Sequence, residues 1–125
     1  MNIIGAGGHS RSVIALLRDN SIGPKGIYDE SFMEGRNEQI FGIAVSGKIN
    51  KISQEEPLCL AIGDNLIREE LYKRFSKNVY KKTLKHSTSF IDKEVFTGEA
   101  NLIFGNVFIN AGVRIGNNNI QICLA

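Results

Sequence analysis

The chain has 125 residues, 42% of them hydrophobic and 22% charged, with a net charge of +2 at neutral pH. That length bounds it to one ordinary domain, or a small domain with an appendage. So mild a charge argues against a nucleic-acid binder. No apolar run reaches the length of a membrane span, and the start lacks the basic and long apolar regions of a signal peptide, so a cytoplasmic protein is expected. Cys59 and Cys123 have no metal-type spacing and read as reduced thiols, with Cys59 in the core.

The first half alternates strand with helix. Met1–Ile4 reads as a short buried strand and Ser10–Asn20 as a helix, with Val13, Leu16 and Leu17 on one face. Gly23-Pro24 closes that unit. Lys25–Tyr28 reads as a second strand ending at Asp29, and Ile43–Ser46 as a weak third. The apolar run Leu58–Ile62 has the length and composition of a buried parallel strand. It stops at Gly63, and Asp64 then reads as the N-cap of a helix over Asn65–Ser76. Strands alternating with helices predict a parallel sheet covered on both faces.

From Phe90 the pattern changes. Set in sixes, the chain reads IDKEVF, TGEANL, IFGNVF, INAGVR, IGNNNI, QICLA. The first column holds Ile91, Thr97, Ile103, Ile109, Ile115 and Gln121; the fifth holds Val95, Asn101, Val107, Val113, Asn119 and Ala125. Neither a helical nor a simple strand period fits. A period of six fits a solenoid of short strands, a β-helix with about three hexads per coil. The second and third columns carry Gly98, Gly105, Gly116, Asn110 and Asn117, expected at the corners, where φ > 0 is often needed. Residues 78–89 form the connector, with a short strand expected at Lys82–Leu84. Lys81, Lys82 and Lys85 read as solvated charges, and His86 as a structural histidine at the junction. Asn117–Asn119 form a corner or an inward asparagine ladder.

The stretch Gly5-Ala6-Gly7-Gly8-His9-Ser10 nearly fits G-x-G-x-x-G, with Ser10 in the last glycine's place. Such a turn brings backbone close to a diphosphate and aims helix N–H groups at its charge. Asp29 ends the second strand, where a ribose hydroxyl can be bound. His9 stands beside the phosphates or caps the turn. Gly63, Asn65 and Arg68 follow the buried strand, at the carboxyl edge where open α/β sheets bind ligands, and Arg68 can reach a phosphate or carboxylate. Three readings stay open for the turn: a nucleotide or nucleotide sugar, NAD, or a strand-to-helix turn with no ligand.

The order of "GAGGHSR", "AIGDNLIRE", "HSTSFI" and the hexads resembles the left-handed β-helix sugar acyltransferases, whose bacterial members acetylate sialic acid or the amino group of a UDP-linked amino sugar. Where that family usually has His-Pro-Ser, this chain has His86-Ser87-Thr88. The resemblance implies an α/β fold: an N-terminal Rossmann-like βαβ domain with a parallel sheet over residues 1–85. The first coils of a left-handed parallel β-helix follow over residues 86–125. It implies a nucleotide-sugar or sialic acid substrate at Gly5, Gly7, Gly8, His9, Ser10, Asp29, Gly63, Asn65 and Arg68. It also implies acetyl-CoA as co-substrate, a homotrimer, and a β-helix histidine as general base. In the family that histidine follows further hexads and an Asn-Thr-Gly segment, and neither His9 nor His86 stands in its motif. The base and most of the acetyl-CoA groove are therefore expected beyond Ala125. The alternative is a non-catalytic nucleotide-sugar-binding module or an inactive remnant. Self-association through Phe90, Phe96, Phe104 and Phe108 is expected.

Overall fold

The computed structural model describes residues 1–122; Cys123 and the last hexad's Ala125 lie outside the described residues. In chain order, β1 (Asn2–Ile4) leads into α1 (Ser10–Asp19). Next come β2 (Ile27–Tyr28), β3 (Gln39–Ile40), β4 (Ile43–Gly47), a 3-10 turn at Ile49–Lys51, β5 (Leu58–Leu60) and α2 (Asn65–Arg74). The sheet order is β3-β4-β2-β1-β5. All pairs are parallel except β3 with β4. The alternating pattern thus gives the parallel sheet expected of it. The weak strand at residues 43–46 is a five-residue strand, Ile43–Gly47. Its hairpin partner β3 was not foreseen: Phe41 and Gly42 turn the chain with φ of 48° and 82°. Both residues of such a tight turn need positive φ, and Phe is an unusual choice for the first.

The pleat divides the core. Ile3 and Cys59 face the α1 side with Val13, Ile14, Leu16 and Leu17, while Ile4, Leu58 and Leu60 face the α2 side with Leu71 and Phe75. Cys59 is buried, as expected, and burial pushes its thiol up to about 12. Such a thiol stays protonated and inert at neutral pH.

After α2 the chain runs back beside β5 through a single parallel bridge at Val79. Seven two-residue strands follow: β6 (Leu84–Lys85), β7 (Phe90–Ile91), β8 (Phe96–Thr97), β9 (Leu102–Ile103), β10 (Phe108–Ile109), β11 (Arg114–Ile115) and β12 (Ile120–Gln121). They stack into three parallel faces, β6-β9-β12, β7-β10 and β8-β11, forming a β-helix. Its core is Ile103, Ile109 and Ile115 with Ile91, Val95 and Val107 around them.

The corners differ from expectation. The left-handed residues are Ala100, Asn106, Gly112 and Asn118, with φ of 58°, 59°, 83° and 55°. They occupy the fourth place of successive hexads, not the second or third. Within Asn117–Asn119 both expectations are met, a corner at Asn118 and an inward asparagine pair at Asn119. The pair lies in the fifth column, where Asn101 Oδ1 accepts from the Asn119 backbone at 2.9 Å and from its side chain at 3.1 Å.

The face β6-β9-β12 turns its outer side chains, Leu84, Leu102 and Ile120, onto α1, so α1 is packed between the sheet and the β-helix. Phe104, expected as exposed surface, joins this junction and is 8% exposed. Phe90, Phe96 and Phe108 do stay outside, at 50%, 52% and 70%. Polar ties fasten the same junction. Asp19, the last residue of α1, accepts from the Ser87 N–H at 2.8 Å and its hydroxyl at 2.7 Å. A proline at Ser87 would make neither bond. His86 is held between Thr88, 2.9 Å from Nδ1, and Asp19, 3.6 Å from Nε2. Lys81 and Lys85 are not simply solvated. Lys85 donates to the Ser89 carbonyl at 2.8 Å, and Lys81 lies 3.7 Å from Glu99. The Tyr72 hydroxyl donates to Glu99 at 2.6 Å, which pushes its pKa up to about 12.

Asn101 is 0% exposed and also donates to the Gly116 carbonyl at 2.7 Å. Replacing it by Leu strands two backbone groups in a buried place. We expect Asn101→Leu to cost about 2–4 kcal/mol in chemical denaturation. An unchanged midpoint would mean that the ladder does not hold the coils.

Candidate functional site

The glycine turn is built by three constraints. Gly5 has φ of +112°, and a Cβ there would stand 2.4 Å from the Ala61 carbonyl oxygen. It is glycine because β1 leaves the sheet hard against β5. Ser10 is 1% exposed, and its hydroxyl donates to the Gly7 carbonyl at 2.6 Å, so serine closes the turn where a third glycine was looked for. Asp29 Oδ2 accepts from the Ala6 N–H at 2.7 Å and Oδ1 from the Ser31 N–H at 2.8 Å. Burial acts to raise the Asp29 pKa, but the hydrogen bonds from Ser31 and Ala6 outweigh it and hold the carboxyl below its usual value. Asp29 therefore braces the turn through the Ala6 N–H. Gly7 and Gly8 are exposed, with no atom within 4 Å of where a Cβ would stand.

His9 begins α1 and makes no side-chain cap bond. Its ring lies over Gly63, where a Cβ would come 2.7 Å from Cδ2 and 2.8 Å from Nε2. Phe104 flanks it with the ring centroids 6.1 Å apart. Asp64 caps α2 by accepting from the Ile67 N–H at 2.9 Å, as expected of it.

Arg68 departs from the expectation of a side chain reaching outward. It is 8% exposed. Nη1 donates to the Ile62 carbonyl at 2.8 Å, Nη2 to Asn65 Oδ1 at 2.8 Å and Nε to the Asn118 carbonyl at 3.0 Å. All these acceptors are neutral, and among the described residues Arg68 forms no ion pair. Burial lowers its pKa, with Asp64 acting the other way.

These pieces line an open cleft of about 160 Å³, formed by His9, Gly63, Asn65, Arg68, Ile120 and Ile122. Four of the expected residues thus meet in one place. Gly7 and Gly8 form exposed turn, Gly5 and Ser10 are buried within it, and Asp29 braces it through Ala6. The aliphatic wall of Ile120 and Ile122, and Asn118 behind Arg68, were not anticipated. The signal was present in the hexads: Leu84, Leu102 and Ile120 pair across β6, β9 and β12 and so share one outer face. Among the described residues no group of His, Cys, Asp and Glu is placed to hold a metal ion, and no helix is long and apolar enough to cross a membrane.

A parallel sheet with a glycine turn at its first strand, docked on a β-helix, defines a class, and comparison with known proteins gives the family. Residues 1–75 match the PglD N-terminal domain, and the chain belongs to that family. The fold is that of solved sugar acetyltransferases. PerB from Caulobacter crescentus, solved with CoA and GDP-perosamine, superposes with a TM-score of 0.80 at 27% identity, over 95% of this chain and 57% of that one. The acetyltransferase domain of PglB from Neisseria gonorrhoeae, solved with acetyl coenzyme A, has the same fold, with a TM-score of 0.76 at 22% identity over 95% of this chain and 59% of that one. The uncharacterized protein L142 of Acanthamoeba polyphaga mimivirus is 32% identical over 121 residues, 94% of this chain and 24% of that protein. The chain thus spans little more than half of PerB and a quarter of L142.

Two outcomes follow from the turn. Gly5→Ala should lose about 3 kcal/mol of stability, since the new methyl meets backbone and the φ is unfavourable; denaturation matching the parent would refute the constraint. For Asp29 the folded pKa lies below the unfolded value, so its stabilisation is complete above the unfolded value. It is lost as pH falls from the unfolded value, near 3.8, through the folded one. The stability gap between the parent and Asp29→Asn should therefore be widest at neutral pH and close below about pH 4. A gap constant from pH 7 to pH 3 would contradict this.

Proposed function

We propose that this chain is the substrate-binding part of an acetyl-CoA-dependent sugar O- or N-acetyltransferase, with a nucleotide sugar or sialic acid as acceptor. One observation carries the reading. In a chain of the PglD N-terminal domain family, the glycine turn, the segment after β5 and the third β-helix strand of one face converge on a pocket containing His9 and Arg68. The α1 N-terminus and the open backbone at Gly7 and Gly8 suit a diphosphate. His9, whose side chain makes no hydrogen bond among the described residues, suits a phosphate or sugar oxygen. A nucleotide sugar is favoured over NAD because PerB was solved with GDP-perosamine and CoA.

The acceptor's hydroxyl or amine must lose a proton as it attacks the thioester carbonyl, so the reaction needs a general base. His86 is engaged by Thr88 and Asp19. We assign the base and the acetyl-CoA groove to the part of such enzymes that this chain does not span. We divide the chain into a substrate-binding unit, residues 1–85, and a β-helix, residues 86–125. Its assembly is a trimer through the β-helix faces that expose Phe90, Phe96 and Phe108. Its compartment is the cytoplasm.

Calorimetric titration tests the reading. GDP-perosamine or a UDP-amino sugar should give saturable heat, NAD none, and His9→Ala should weaken binding about tenfold, or ~1.4 kcal/mol. No heat from any nucleotide sugar or from sialic acid would reduce the turn to a structural link. Light scattering should return three times the chain mass of 13.8 kDa; a stable monomer would refute the trimer.

A further inference from the structure

We infer that Arg68 is a positioning residue, which fixes the floor of the nucleotide-sugar site against the β-helix coil that walls it. The inference rests on the substrate reading above and goes beyond it, because it makes the site depend on a contact between the two units of the fold.

Three segments meet at this one guanidinium. It donates to the carbonyls of Ile62 at 2.8 Å and Gly63 at 3.4 Å, which belong to the segment beneath His9. It donates to Asn65 Oδ1 at 2.8 Å, at the start of α2. It donates to the Asn118 carbonyl at 3.0 Å, in the coil just before β12. Asn118 answers, its side-chain amide donating to the Arg68 carbonyl at 3.3 Å. Asn118 is one of the left-handed corners, with φ of 55°, so its carbonyl is aimed by the turn itself.

The chemistry requires arginine. A planar fork can reach acceptors in three directions at once, and its donors stay charged when buried. A lysine carries the same charge on a single point and cannot span the three segments. Among the described residues no carboxylate lies within salt-bridge distance of it, and Asp64 supports the charge only from further away; the return on burying it is chiefly geometric. What the fork positions is the site. The Gly63 backbone under the His9 ring and the coil bearing Ile120 both line the 160 Å³ cleft, and Arg68, bonded to both segments, ties one to the other. A shift of one wall changes both the seat of His9 and the width of the pocket, which a ligand spanning them feels directly.

The test compares Arg68→Lys and Arg68→Met with the parent chain, well below each protein's melting temperature. Binding of GDP-perosamine or a UDP-amino sugar is measured by calorimetry, and the His9 imidazole proton resonances are recorded without ligand. We expect both variants to lose at least about tenfold in affinity, and the His9 resonances to move in both. Because Lys keeps the charge, loss in both variants assigns the effect to the fork. Parent-like affinity in Arg68→Lys would overturn the inference and leave only a charge effect. So would unmoved His9 resonances beside a lowered melting temperature, which would mark Arg68 as structural alone. Should either variant fail to fold, Asn118→Gly removes the answering amide and also frees the backbone that aims the carbonyl bound by Nε; it should shift the same His9 resonances, and unshifted resonances overturn the inference. If the parent itself binds no nucleotide sugar, the substrate reading fails, and the His9 resonances of the ligand-free variants still decide the positioning role.

Discussion

The structure depends on the burial of α1 on two sides. One face, from Val13 to Leu17, closes the parallel sheet over Ile3, Ile27, Val45 and Cys59; the same cluster takes in Leu84, Leu102 and Phe104 from the β-helix. A ten-residue helix is marginal by itself and takes its stability from such packing. Here that packing comes from two structures at once, so the start of α1, which carries the glycine turn and His9, is held relative to both. The ties around the rim, Asp19 to Ser87, Tyr72 to Glu99 and Arg68 to Asn118, restrict sliding of one against the other. A site made from the turn on one side and Ile120 on the other is possible only because this junction is tight.

The polar groups at the junction are satisfied rather than merely numerous. No buried side-chain nitrogen or oxygen among the described residues lacks a hydrogen-bond partner. Where a polar group is buried, leaving it unpaired costs more than pairing it gains. That asymmetry explains the pairing of Asn101 with Asn119 inside the coils, and of Arg68 with carbonyls at their edge. At the exposed rim, the serine at position 87 adds its hydroxyl to its N–H as a second donor to the carboxylate that ends α1.

Much of the architecture was legible in the sequence because periodicity reports which face is buried. The apolar run at Leu58 and the stripe of Val13, Leu16 and Leu17 give the sheet and its helix, and the column of Ile103, Ile109 and Ile115 gives the solenoid core. The hairpin partner of β4 was not legible, because Gln39-Ile40 is too short to carry a period and the turn uses Phe41 at positive φ. The corner positions were not legible, because Gly and Asn do not mark them alone: Ala100 adopts the same left-handed backbone. At the site, residue type pointed to His9, Gly63, Asn65 and Arg68. Sequence could not say that Arg68 turns inward, nor that Asp29 serves the turn through the Ala6 N–H, because both depend on where the third coil and the second strand come to rest.

If the glycine turn and the β-helix coil form one ligand site, both respond to the same ligand. The most direct test is amide chemical-shift mapping of the isotope-labelled chain during titration with GDP-perosamine or a UDP-amino sugar. The account predicts that Gly7, Gly8 and His9 shift together with Ile120 and Ile122, with a common saturation curve. Shifts confined to the turn, with Ile120 and Ile122 unmoved at saturation, would contradict it.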